Sequence, residues 1–155
     1  MKKYKRVITY GTFDMFHIGH LKLLQRLAEL GDELIVAVST DEFNKIKNKT
    51  VLIPYAQRAE IVMNIKCVDM VIPEQSWDQK VLDIKKYSVP LFAIGDDWKG
   101  KFDFLEEHCE VLYLSRTKDI STTHLKKSLT GFLSISKEDI LGAFKVIEAL
   151  KNDFD

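Results

Sequence analysis

A chain of 155 residues, 46% of them hydrophobic and without a low-complexity segment, is expected to fold as a globular domain with a sizeable core. Lysine plus arginine equals aspartate plus glutamate at 23 each. That balance leaves no electrostatic footprint for nucleic acid or an acidic membrane surface, so an anionic ligand must be held by a local site. The basic start "MKKYKR" runs into an apolar stretch too short for a signal-peptide core, and no segment reaches the roughly 18 to 20 apolar residues of a membrane span.

"RVITYGTF" is a β-branched and aromatic run broken by Gly11 and predicts a mainly buried strand. From Ile18 the spacing turns helical, with Leu21, Leu24, Leu27 and Ala28 on one face and Gly31 expected as the C-terminal stop. "ELIVAVST" predicts a second buried strand, and the polar "DEFNKIKNKT" a mobile loop with a partial helix. "PYAQRAEIVMNIK" predicts a helix with Pro54 in its first turn and an apolar stripe at Ile61, Val62 and Ile65. "VDMVIP" then reads as a strand, "WDQKVLDIKKYS" as a helix, "PLFAIGDD" and "CEVLYLS" as strands, and "STTHLKKSLTG" as a helix capped by Ser121 or Thr122. The first linker falls at Gly131, so residues 1–131 are expected to form the principal domain and 132–155 a C-terminal amphipathic helix. That helix is capped by Ser136 with Asp139 three residues on, and Ile140, Leu141, Phe144, Ile147 and Leu150 give it a broad apolar face suited to docking on its own domain or a partner subunit.

Strands alternating with helices at this spacing predict βαβ units, hence an α/β, Rossmann-like parallel sheet with helices on both faces. Ligands of such folds bind beyond the carboxyl ends of the strands. Gly11 to His20, Ser39 to Lys49, Gly95 to Gly100 and Ser115 to Thr123 fall there. Cys67 and Cys109 lack CxxC spacing and suit free thiols in a reducing cytoplasm better than a disulfide framework or a zinc site.

In "GTFDMFHIGH", His17 and His20 are three residues apart and share a face at the start of a helix. There the unpaired backbone N–H groups and the dipole already favour an anion. Two imidazoles add donors for phosphate oxygens, and Gly19 removes a side chain that would crowd the ligand. Alone, the pair also suits a metal site or two surface histidines. Asp14 adds a carboxylate able to hold magnesium or orient a ligand group. In "RTKDISTTHLK", Arg116 precedes Ser121, Thr122 and Thr123, which makes either a second anion-friendly helix terminus or an ordinary cap beside a surface arginine. Asp96 and Asp97 read as a turn or a cap, and Lys47 and Lys49 as solvated charges, if each is taken alone.

Taken together, "GTFDMFHIGH", "STDEFN", "GDDWKGKFDFL" and "RTKDISTT" resemble, in order and spacing, the cytidylyltransferase branch of the HxGH nucleotidyltransferase superfamily, over residues 6 to 131. The HxGH element is shared with class I aminoacyl-tRNA synthetases and several adenylyltransferases; the set of four is specific. The resemblance implies transfer of a cytidylyl group from CTP to sn-glycerol 3-phosphate, giving CDP-glycerol and pyrophosphate, by direct in-line attack. It implies His17, His20 and Arg116 as catalytic residues. With them, Thr12, Phe13, Asp14, Ile18, Gly19, Asp97, Thr117, Ile120, Ser121, Thr122 and Thr123 would hold CTP, while Lys47, Arg58 and Lys80 would receive the acceptor phosphate. It further implies Mg2+ carried by the nucleotide rather than by a protein metal site, a cytoplasmic homodimer with no nucleic-acid partner, and a role in teichoic acid or capsule-type polymer synthesis. Lys118 and Asp119 stand where the family often has an acidic residue and a glycine. The rival readings are another alcohol phosphate as acceptor, adenylyl transfer, and a nucleotide-binding regulatory module without turnover.

Overall fold

The computed structural model describes residues 2–115 and 121–152. Along the chain run β1 (Tyr4–Gly11), α1 (Ile18–Leu30), β2 (Gly31–Ser39), α2 (Asp41–Ile46), α3 (Tyr55–Met63), β3 (Met70–Glu74), α4 (Gln79–Lys86), β4 (Leu91–Gly95), β5 (Glu110–Leu114), α5 (Thr122–Leu133) and α6 (Lys137–Asn152). Two 3₁₀ turns, Asp96–Trp98 and Asp103–Glu107, lie between β4 and β5. The chain divides into two compact units, Met1–Ile120 with the sheet and Ser121–Asp155 with α5 and α6.

The five strands pair in parallel in the order β3-β2-β1-β4-β5. Strand periodicity of two sorts their side chains onto two faces. Val7, Leu34, Val36, Val38, Leu91 and Ala93 pack with Leu24 and Leu27 of α1 and Val62 of α3. Ile8, Tyr10, Ile35, Ala37, Phe92 and Ile94 pack with Ile84 of α4 and with Phe102 and Leu105. Both faces are covered, which is why β1 and β2 read as nearly continuous apolar runs. Strand order reverses between β1 and β4, so a crevice opens beyond their carboxyl ends. The Thr12–His17 loop and the Asp96–Trp98 turn emerge there.

Two local expectations hold and one is corrected. Gly31 closes α1 as its C-cap, in an extended rather than left-handed conformation (φ −134°, ψ 158°), and is also the first residue of β2, so α1 runs into the strand without a connector. A Cβ at Gly31 would stand 2.6 Å from Val7 Cγ2, so close packing against β1 requires the glycine. The partial helix expected in "DEFNKIKNKT" is α2, "DEFNKI", its N-terminus capped by Thr40 Oγ1 accepting from Phe43 N (3.2 Å). On α3, Ile61 is 39% exposed; Arg58, Ala59 and Val62 take the buried positions, because the helix turns its arginine inward.

In the C-terminal unit, Ser121 caps α5 by accepting from His124 N (3.1 Å), and Gly131 lies inside that helix. Ser136 and Asp139 make the expected cap of α6, and Ile140, Leu141, Phe144 and Ile147 are exposed along it. Among the described residues, no helix is long and apolar enough to cross a membrane.

Gly31→Ala leaves the backbone conformation permitted but overpacks the β1–β2 junction. It should lower unfolding free energy by about 1 to 3 kcal/mol, read from urea denaturation.

Candidate active site

The loop after β1 adopts an uncommon conformation. Phe13 (φ 52°) and Met15 (φ 50°) are both left-handed without being glycine, a cost of order 1 to 3 kcal/mol each. Two features fix the loop. The buried Phe13 ring lies over Gly11, where a Cβ would stand 2.8 Å from Phe13 Cε2. Between the two strained residues, the buried Asp14 carboxylate accepts from Leu52 N and Ile53 N, each at 3.0 Å. Asp14 is thus a clamp on the segment leading to α3. Each of its oxygens accepts one main-chain N–H, so its shown role is to fix the loop.

The two histidines begin α1. His17 is its N-cap, with extended backbone, and its Nδ1 accepts from Gly19 N (3.0 Å). His20 returns the bond, its Nδ1 accepting from His17 N (3.4 Å). The arrangement is a capping box in which imidazoles replace the usual hydroxyl and carboxylate. Because each Nδ1 accepts, the neutral rings must carry their proton on Nε2. The rings stack with centroids 3.9 Å apart. Phe13 and Phe16 flank His20 at 5.4 Å each. Burial, then the neighbouring His17, lowers the His20 pKa to about 4, and burial lowers that of His17. At neutral pH the site therefore offers two uncharged Nε2–H donors at the positive end of a helix.

Arg58, expected on the acceptor phosphate, is 1% exposed. Its Nη1 donates to Thr12 O (2.6 Å) and Ser39 O (2.8 Å), its Nε to Ile53 O (2.7 Å) and its Nη2 to Asp41 Oδ1 (2.7 Å). It braces the ends of β1 and β2 against the loop before α3, and with four donations already made it is placed to shape the site rather than to meet a phosphate. Asn44, also buried, adds a contact from α2 to Thr12 (Oγ1 to Oδ1, 3.0 Å).

Lys47 and Lys80 do converge. Lys80 Nζ donates to Glu74 Oε1 (2.7 Å), and Lys47 Nζ donates to Glu74 Oε2 (3.2 Å) and Ser39 Oγ (2.7 Å). Ser39 in turn donates to the Glu74 carboxylate. Both lysine side chains are buried, Lys47 over the Phe43 ring (4.4 Å) and Lys80 over Tyr10 (4.5 Å) and Trp77 (5.0 Å). Beside them an open cavity of about 650 Å³ is lined by Lys47, Lys49, Trp77, Asp78, Trp98, Lys101, Phe102 and Phe104. Lys49 and Lys101 each lie over the Trp98 ring, at 5.2 and 5.1 Å. Ser39 Oγ is 3.3 Å from Gly11 O, which ties the lysine cluster to the histidine loop.

The structure thus brings together Thr12, Phe13, Asp14, His17, Ile18, Gly19 and His20 around the start of α1, and Lys47 with Lys80. Asp97 is exposed in the turn after β4. Ser121 caps α5, which Thr122 and Thr123 begin. Arg116, Thr117 and Ile120 lie outside the described residues. Sequence reading missed Glu74, which ends β3 at the same carboxyl edge of the sheet and is flagged by no motif. Among the described residues, no cluster of three or more His, Cys, Asp or Glu is placed to hold a metal.

Two outcomes follow from this geometry. Ring-nitrogen NMR at pH 7 should report His17 and His20 neutral, with the proton on Nε2, and His20 titrating near pH 4. The folded-state pKa is depressed from 6.5 to about 4. Protonation therefore favours the unfolded chain, and stability should fall by on the order of 3 kcal/mol as pH drops through that window. Arg58→Lys keeps the charge but loses the fork that reaches three carbonyls. Urea denaturation should show it about 2 kcal/mol or more less stable.

A family model described as cytidylyltransferase-like matches residues 8–134. A glycerol-3-phosphate cytidylyltransferase from Bacillus spizizenii is 58% identical over 127 residues, covering 82% of this chain and 98% of the relative. An FAD synthase from Pyrococcus abyssi is 39% identical over 150 residues, covering 96% of this chain and 94% of the relative. A crystal structure of a lipopolysaccharide core biosynthesis protein from Thermoplasma volcanium superposes with a TM-score of 0.65 at 24% identity, covering 74% of this chain and 99% of that one, and shares the fold. The matched span takes in the strained loop, the imidazole-capped helix and the lysine cluster, and the chain belongs to the cytidylyltransferase-like family.

Proposed function

We propose that the chain is a CTP:glycerol-3-phosphate cytidylyltransferase, converting CTP and sn-glycerol 3-phosphate to CDP-glycerol and pyrophosphate. The observation that carries the reading is the pair of Nε2–H donors at the start of α1, tied through Ser39 to the buried lysine cluster. The name and 58% identity of the Bacillus spizizenii relative support the choice of nucleotide and acceptor.

The acceptor phosphate oxygen is already a nucleophile at neutral pH, so the reaction needs no general base and no covalent enzyme intermediate. What the protein must supply is alignment of two polyanions and stabilisation of charge on the α-phosphate and the departing pyrophosphate. In this proposal His17 and His20 donate Nε2–H bonds to those oxygens. Their neutral state means that they need not change protonation during turnover. Lys47 and Lys80 attract the acceptor phosphate, Lys49 faces the triphosphate, and Arg116, Ser121 and Thr122 hold the nucleotide. Thr12, Phe13 and Asp14 form its floor, Asp14 by fixing the loop. Arg58 is reassigned from contacting the acceptor to bracing the loop. Magnesium, entering with CTP, would neutralise triphosphate charge; the carboxylate of the histidine loop is engaged by Leu52 and Ile53, which suits a metal held by the nucleotide. The same reading makes the enzyme a cytoplasmic homodimer that supplies activated glycerol phosphate for teichoic acid or a capsule-type polymer.

Pyrophosphate release should be measured with CTP or ATP against glycerol 3-phosphate, other polyol phosphates, amino-alcohol phosphates and FMN. CTP with glycerol 3-phosphate should give the highest kcat/KM. Faster turnover with ATP and FMN would favour the activity named for the Pyrococcus abyssi relative, and tight CTP binding without pyrophosphate release would overturn the enzymatic reading. His17→Ala should lower kcat about a hundredfold or more, the cost of losing one charge-stabilising donor, some 2.7 to 4 kcal/mol.

A further inference from the structure

We infer that Glu74 is a positioning residue for the acceptor phosphate, holding Lys47 and Lys80 as one preassembled dicationic receptor. The inference rests on the reading that these lysines receive glycerol 3-phosphate.

The geometry is that of a hub. Glu74 is 2% exposed and spends one carboxylate oxygen on each lysine, Oε1 on Lys80 and Oε2 on Lys47, while Ser39 donates to the Oε2 side. Its backbone cannot drift. Glu74 pairs with Ser39 in the β2–β3 ladder, and Glu74 O accepts from Thr40 N at 2.9 Å. The carboxylate is thereby set at the strand ends, between a lysine from the segment after α2 and one from the first turn of α4.

The charge count gives the hub its function. Two ammonium groups share one carboxylate, so the ionised cluster carries one net positive charge in a buried place. Lys49 adds another nearby, over Trp98. Burial pushes the Lys47 ammonium toward its neutral form, and the Glu74 carboxylate beside it opposes that shift. Lys47 reaches the cavity, whereas Lys80 lies among the Tyr10, Trp77 and Phe102 rings. An arriving phosphate dianion can therefore take a donor from Lys47 while Glu74 keeps Lys80 and Ser39 in place. The groups that face the cluster are Glu74, Lys47, Lys49 and Lys80, the Tyr10 hydroxyl held by Asp83 (2.8 Å), and Asp78 on the cavity wall.

Glu74→Gln preserves shape and removes the charge. It should raise KM for glycerol 3-phosphate about tenfold or more while leaving KM for CTP within about twofold of its original value. The alkaline limb of kcat/KM for glycerol 3-phosphate should also move to lower pH, because Lys47 without the carboxylate that opposes its burial releases its proton more readily. Glu74→Asp keeps the charge but is one methylene short of bridging both lysines; it should raise the acceptor KM without moving that limb. Circular dichroism checks the fold of each, and Glu74→Asp carries the test if Glu74→Gln does not fold. An acceptor KM within about twofold of the original, or equal rises in both KM values, in a folded variant overturns the inference. Lys47→Met separates the two levels. If it raises the acceptor KM while the Glu74 variants do not, the receptor reading stands and the role of Glu74 falls. If the unaltered enzyme does not turn over glycerol 3-phosphate with CTP, both fall.

Discussion

A guanidinium that is 1% exposed has few ways to be stable, and Arg58 uses nearly all of them at once. Its donors reach the carbonyls of Thr12, Ser39 and Ile53 and the carboxylate of Asp41, so the desolvation of a planar cation is offset by several charge-assisted bonds in fixed directions. Those partners open or close the segments that build the site. Thr12 opens the histidine loop, Ser39 ends β2 and touches Lys47, and Ile53 lends its N–H to Asp14. A lysine at this position would be a point charge and could not span three carbonyls. The site therefore begins with a buried cation that serves the backbone, and the ligand-facing groups are set out from it.

The histidine loop shows what that rigidity supports. Two left-handed, non-glycine residues around Asp14 store strain that the surrounding hydrogen bonds must hold. In exchange, the helix starts at a defined residue and each imidazole spends its Nδ1 on the backbone of the other's turn. The tautomer is then a consequence of secondary structure. Donors fixed before the ligand arrives require little reorganisation when charge develops, the condition under which electrostatic stabilisation is largest. Burial adds a second effect: by disfavouring the imidazolium it keeps His20 neutral, so the donor set is the same throughout the neutral pH range.

The fold was largely legible because alternating strands and helices leave strong periodic signals. The apolar runs of β1 and β2 marked a sheet buried on both faces, and the motif blocks after β1, β2 and β4 marked its carboxyl edge. Reading failed where a residue's type concealed its use. Gly31 was legible as the helix stop it is, but not as a packing requirement against Val7. Arg58 looked like a phosphate ligand because an isolated sequence cannot show that three carbonyls converge on it. Asp14 was legible as a carboxylate for magnesium or for orienting a ligand group, but not as the acceptor of the Leu52 and Ile53 N–H groups. Lys47 and Lys80 were legible as cations, but the carboxylate that joins them comes from β3, and only the strand register places Glu74 beside Ser39.

An equal number of acidic and basic side chains is a poor start for attracting phosphates, yet the arrangement explains why net charge is not needed. Lysines on an open surface would each attract phosphate weakly and be screened by salt within about 10 Å. Enclosed by Phe43, Tyr10 and Trp77, the same charges act through a medium less polar than water, where a Coulomb interaction is several times larger. Such a cluster is unstable by itself and needs a carboxylate within it, which Glu74 provides at the cost of one positive charge. What remains is a local excess of charge tied through Ser39 to the β1 end from which the histidine loop begins. That link supplies a structural reason why the lysine cluster and the imidazole donors keep a constant spacing: both are anchored to the carboxyl ends of adjacent strands, β1 and β2, whose register the sheet sets.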